Sequence, residues 1–153
     1  MTTDDRTHRV AARLDHLFRT VYPATLGRPY SYREAAAKIA ALAGGEAVIS
    51  PVYLQQIRTG QRKTPSLDKL AWVAQLFGVP VTYFSDDIVA ERVDAQLEIV
   101  TELRDDGVRE LARLAAGLSA EALEPIKAQL RYARRIEGLP DADSGGTLPV
   151  NRV

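Results

Sequence analysis

Ser50-Pro51-Val52-Tyr53-Leu54-Gln55-Gln56-Ile57-Arg58-Thr59-Gly60-Gln61-Arg62-Lys63 is the stretch on which the reading of this 153-residue chain turns. Ser50 followed by Pro51 is a helix start: the hydroxyl accepts from a free backbone N–H, and proline tolerates the first helical position. Gly60 marks the stop. Leu54 and Ile57, three apart, point inward, which leaves Val52, Tyr53, Gln55, Gln56 and Thr59 on the more exposed sides. No acidic residue occurs from Ala47 through Leu67. A glutamine amide offers a donor and an acceptor together and so matches adenine N6 and N7 in the major groove. Arg62 and Lys63, just past the helix, are suited to neutralising phosphates, which sets affinity and register but not sequence choice. The bland alternative is that these polar groups merely face solvent.

Working outward, Ser66 caps a following helix with Leu67, Leu70, Ala71, Ala74 and Phe77 inward and Gly78 at its end. Val79 to Phe84 then forms a short turn that seals the core with Val81 and Phe84. Upstream, Ser31 and Glu34 stand at capping-box spacing, where each side chain satisfies a backbone N–H of the first turn. Ala35, Ala36, Ile39 and Leu42 give that helix a small-residue inner face, and Gly44-Gly45 stops it. Its free N–H groups near Ser31, Tyr32 and Arg33 can hold a further phosphate. A first helix carries Val10, Leu14, Leu17, Phe18 and Val21 on one face and ends at Tyr22-Pro23. His8 and His16 are expected at the surface.

Formal charge is zero over the whole chain, but residues 1–85 hold 11 Lys/Arg against 6 Asp/Glu, and residues 86–153 hold 9 against 14. A basic front half and an acidic back half indicate two tasks. In the back half Val93, Leu97, Val100, Leu111, Leu114 and Leu118 recur at four- and three-residue steps, as in a helix that packs on another helix. They either form a dimer interface or complete the chain's own core, and the two can coexist. Asp106-Gly107 is expected to break the stripe. Ser119 starts a last helix with Ile126, Leu130, Ala133 and Ile136 on one face and Pro125 kinking it or delaying its start. Its Lys127, Arg131, Arg134 and Arg135 form a solvated face or an accessory DNA contact. The composition from Leu139 onward describes a disordered tail.

Residues 31–84 resemble an Xre/Cro-type helix-turn-helix domain, on Ser50, Tyr53-Leu54, Ile57, Gly60, Gln61-Arg62-Lys63, Pro65-Ser66, Leu70 and Gly78-Val79. A narrower likeness, over roughly residues 10–138, is to the actinobacterial nucleoid-associated regulators with this domain. It rests on Leu14, Leu17, Phe18, Val21-Tyr22-Pro23, Tyr53 through Gly60, Tyr83-Phe84 and Arg104 through Arg109. Two departures from the common Xre pattern stand out. The connection Ala43 to Ile49 is longer than the usual tight turn of about three residues, and Arg58 stands where many Xre domains carry Glu, although the narrower group shares the Arg. Arg58 is left with two roles, a phosphate contact or an internal salt bridge.

The expected architecture is therefore all-α: a helix-turn-helix bundle over residues 1–85, a helical dimerisation region over 86–138 and a disordered tail over 139–153. Bases fall to Val52, Tyr53, Gln55 and Gln56. Phosphates fall to Ser31, Tyr32, Arg33, Ser50, Arg58, Thr59, Gln61, Arg62 and Lys63. The resemblance implies a homodimeric transcriptional regulator that reads double-stranded DNA in the cytoplasm at the nucleoid, with its heads spaced to bridge DNA segments. The alternative is a protein-interaction module, an antitoxin or adaptor, on the same scaffold. Zero cysteines and two histidines leave no basis for a metal or cofactor site. No nucleophile–base pair or phosphate-cradling glycine loop supports an enzyme. Neither a signal peptide nor a membrane span is expected, and no effector domain is evident.

Overall fold

The computed structural model describes residues 2–140 and 142. Among these residues the chain is all-helical, without a strand, and falls into two compact units, Met1–Ile99 and Val100–Val153. Most of the tail expected to be disordered lies outside the described residues; Leu139, Pro140 and Ala142 lie within them.

In the first unit α1 spans Thr3–Thr20, α2 Tyr32–Leu42, α3 Pro51–Arg58 and α4 Leu67–Phe77. A single 3₁₀ turn, Val81–Phe84, follows, and then α5, Asp87–Glu102, which runs past the unit's end. α1 lies against α3 and the 3₁₀ turn, α2 against α3 and α4, and α4 against that same turn. The helices start where their serine caps place them. Ser31 accepts from Glu34 N while the Glu34 carboxylate accepts from Ser31 N, closing the capping box. Ser50 and Ser66 accept from Tyr53 N and Lys69 N. Gly78 takes φ +69°, a left-handed conformation that a side chain would strain, and so ends α4 cleanly.

The core is aromatic at its centre. Phe18 has no exposed surface and meets Phe77 and Tyr32 edge-on, with centroids 5.1 and 5.5 Å apart. Each such pair contributes about 0.5–1.5 kcal/mol beyond burial of its area. Leu14, Leu17, Ile39, Leu54, Ile57, Val73 and Tyr83 are buried around them. Three expectations need correction. On α4 the inner arc is Leu70, Val73, Ala74 and Phe77, whereas Leu67 is 70% exposed and Ala71 is exposed too. At about 100° per residue, Val73 falls on the arc centred between Leu70 and Phe77, while Leu67 and Ala71 fall beyond its edge. Leu42 is 46% exposed, and the buried aliphatic residue after α2 is Ile49, from the connection. His16 is only partly at the surface, its side chain 37% exposed. Its Nε2 is buried and lies 3.3 Å from Asp94 Oδ1 without hydrogen-bond alignment, and Asp94 also accepts from the Tyr83 hydroxyl at 2.7 Å.

Ala90 and Val93 of α5 are buried in this core and Leu97 packs partly buried against it. For these two stripe positions, Val93 and Leu97, core packing is what the structure shows. Arg13 of α1 fastens α5 from outside, donating to Tyr83 O at 3.0 Å and pairing with Asp87 at 2.5 Å.

The second unit holds α6, Asp106–Ala115, and α7, Ala120–Ile136. The break in the stripe falls at residues 103–105, and Asp106-Gly107 becomes the first turn of α6, capped by Asp105 accepting from Val108 N. α7 begins at Ala120 under a Ser119 cap, so Pro125 sits inside the helix and does not delay it. Neither helix has a buried residue. Val100, Leu111, Leu114 and Leu118 are 53, 47, 69 and 42% exposed, and Tyr132 and Ile136 are 61 and 68% exposed. No helix among the described residues is long and apolar enough to cross a membrane.

Candidate nucleic-acid interface

The candidate surface is the outer side of α3 with the loop behind it. Leu54 and Ile57, 0 and 1% exposed, anchor α3 in the core, so its orientation is fixed from within. Val52 is 59% exposed, Gln55 is exposed and Gln56 half-buried, so three of the four residues expected to meet bases stand outward or at the rim.

Tyr53, the fourth, is half-buried and packs against the core. Its hydroxyl accepts from Ser66 N at 3.3 Å, and the Arg62 guanidinium lies over its ring at 4.4 Å. Its ring is a platform for Arg62. Arg62 in turn donates from Nη2 to Gln56 Oε1 at 2.8 Å, and its backbone N–H to Gln56 O at 3.0 Å.

Of the two roles open to Arg58, the structure shows the internal one. Its Nε donates to Asp15 Oδ1 on α1 at 2.8 Å, and its guanidinium lies 4.8 Å from the centre of the Phe18 ring and 5.7 Å from that of Tyr32. A guanidinium held this way braces α3 on α1 and is directed away from the exposed face of α3. The Thr59 hydroxyl is likewise occupied, donating to Gln55 O at 2.8 Å.

Two further residues shape the surface, and sequence inspection missed both. The buried Thr7 hydroxyl of α1 lies 2.7 Å from Lys63 O and 2.9 Å from Thr3 O, sharing its proton between them. It ties the loop's backbone to α1 and leaves the exposed side chains of Gln61, Arg62 and Lys63 outward. Lys69 of α4 donates to Val48 O and so holds the long connection between α2 and α3, where Ile49 is also anchored. No local pattern signals either contact, because the partners are 56 and 21 residues away. Thr7→Val keeps the shape and removes the hydroxyl. The expected loss is about 1 kcal/mol, read by denaturant unfolding, together with faster amide exchange at Arg62.

At the start of α2, Ser31 spends both its hydroxyl and its N–H in the capping box. The half-buried Glu34 carboxylate is held down at about 2 by hydrogen bonds from Arg28 first and from Ser31 N second. Arg28 grips it with two parallel bonds of 2.7 and 3.0 Å, so the negative charge beside this helix end is already neutralised. Arg33 remains exposed beside it.

By class this is an all-α protein whose first unit presents a short capped helix and a basic loop on one braced surface. No family model matches the chain. It is similar to the nucleoid-associated protein EspR of Mycobacterium tuberculosis, strains CDC 1551 / Oshkosh and ATCC 25618 / H37Rv, at 40% identity over 129 residues, which cover 84% of this chain and 95% of each relative. The chain belongs to the EspR family.

Proposed function

We propose that this chain is a sequence-reading, double-stranded-DNA-binding transcriptional regulator, associated with the nucleoid and acting as a homodimer. The observation that carries the reading is α3 and its loop, whose segment Ala47–Leu67 holds no acidic residue, anchored by Leu54 and Ile57, with Val52 and Gln55 exposed, Gln56 at the rim and Lys63 exposed in the loop. Membership in a family named for a nucleoid-associated protein supports it. On this reading α2, the connection and α3 act as an Xre-like helix-turn-helix with α3 in the major groove. The exposed Gln55 is the adenine reader, and Val52 meets a thymine methyl. Arg33, Gln61, Lys63 and the N-terminal amides of α2 and α3 hold phosphates.

The homodimer is supported by the exposed Val100, Leu111, Leu114 and Leu118, because apolar rows of this kind mark association surfaces. A dimer joined through the second unit carries two reading heads, which can occupy paired half-sites or bridge two DNA segments. Bridging predicts loops in microscopy, and a single-site footprint without them would exclude it. The same exposed row also favours a second reading, a protein-interaction module that binds a different protein.

An NMR titration of the labelled chain with duplex DNA tests the site. Shifts concentrated in residues 31–33 and 50–63 are expected, and shifts confined to residues 100–140 would overturn it. Lys63→Ala is expected to weaken binding about equally on all sequences and to lower the salt slope by about one. A loss confined to one sequence would show that Lys63 reads a base.

A further inference from the structure

Three contacts in series run across the outer face of α3. Ser66 N donates to the Tyr53 hydroxyl at 3.3 Å and pins the ring. The ring supports the Arg62 guanidinium 4.4 Å above it. Arg62 Nη2 then donates to Gln56 Oε1 at 2.8 Å, and its backbone N–H is fixed on Gln56 O at 3.0 Å. A Gln56 amide whose oxygen is fixed on Arg62 cannot flip, so although that oxygen keeps one lone pair, the end left to turn toward a ligand is its NH₂ group. Gln55, one position earlier and exposed, has no such constraint among the described residues and keeps both ends of its amide available.

We infer that Arg62 is a positioning residue that commits Gln56 to act as a hydrogen-bond donor, so that Gln56 selects guanine over adenine at its base pair. The inference rests on the DNA-binding reading above. In the major groove guanine shows two acceptors, N7 and O6, whereas adenine sets the N6 donor beside its N7 acceptor. The NH₂ group of such an amide meets two acceptors on the guanine edge but only N7 on the adenine edge, where the N6 donor opposes it. The two glutamines of α3 therefore differ in what they read: Gln55 takes the mixed edge of adenine, and Gln56 takes an acceptor edge. Without Arg62, the Gln56 amide can turn and offer its oxygen to adenine N6.

The test is a selection from random-sequence duplex DNA with the full chain, followed by titration of the selected duplex and its single-base variants against Gln56→Ala, Arg62→Ala and Arg62→Lys. The position at which Gln56→Ala loses its preference should carry guanine in the unaltered protein, favoured about fivefold or more over adenine. Arg62→Ala should shift that position toward adenine. Arg62→Lys, which keeps the charge but not the planar group on Tyr53, should shift it too while losing less affinity. Equal weakening on every duplex by Arg62→Ala, with guanine still preferred, would overturn the inference and leave Arg62 a phosphate contact. Adenine at the Gln56 position in the unaltered protein would overturn it as well. Absence of any DNA binding by the unaltered protein would overturn the DNA reading and this base assignment with it. The link itself is read without DNA: the Gln56 side-chain amide signals should move in Arg62→Ala, and unchanged signals would refute the positioning role.

Discussion

On the proposed homodimer, aspartate at both Leu111 and Leu114 is expected to leave the protein monomeric and to lower its DNA affinity about a hundredfold or more. Both residues lie on α6, 47 and 69% exposed, in a helix with no buried residue. Fully burying a leucine side chain contributes about 1.5–3 kcal/mol, and a two-fold interface counts each position twice. Aspartate removes that gain and requires an unpaired carboxylate to be desolvated, which costs several kcal/mol more or forces the interface apart. Sedimentation velocity reads the dimer and a DNA titration reads the affinity. Circular dichroism should show unchanged helix content, because neither side chain supports the single chain's own core. A double variant that stays dimeric would place the interface elsewhere. A dimer lost without any fall in affinity would separate dimerisation from DNA binding.

Phe18→Ala is expected to be the most damaging single change to the first unit. The ring is fully buried, meets Phe77 and Tyr32 edge-on, and supports the Arg58 guanidinium that ties α3 to α1. Emptying such a site costs about 3–5 kcal/mol, which for a unit of this size lowers the melting temperature by roughly 12 °C or more. Trp72 is the chain's one tryptophan and packs partly buried against the same core, so its fluorescence reports the transition. A loss below about 1 kcal/mol would contradict the central place given to Phe18.

The helix starts were legible because capping is local. Ser31 with Glu34, Ser50 with Pro51, Ser66 and Ser119 each solve a hydrogen-bonding problem within four residues, and the structure places a helix start at each. Leu54 and Ile57 were legible for the same reason, since a short polar helix leaves few apolar residues to turn inward. Two kinds of feature were not legible. One is the exact rotation of a helix rich in apolar residues: α4 offers Leu67, Ala71 and Val73 alike, and only packing selects Val73. The other is any role set by a distant partner. From local sequence Arg58 keeps two roles open because Asp15 is 43 residues away, and the tie from Thr7 to Lys63 spans 56. The leucine stripe announced a buried face without saying what buries it. Val93 and Leu97 meet their own unit's core, whereas Leu111, Leu114 and Leu118 stand exposed.

The most direct test of the central claim is a titration of fluorescent genomic DNA fragments with the purified full chain at two salt concentrations, with unlabelled random DNA as competitor. Sub-micromolar binding that survives the competitor and weakens steeply with salt is the predicted result. No binding even at low salt would contradict the account, and would leave the α3 surface as scaffold and the apolar row of the second unit as the place to seek a protein partner.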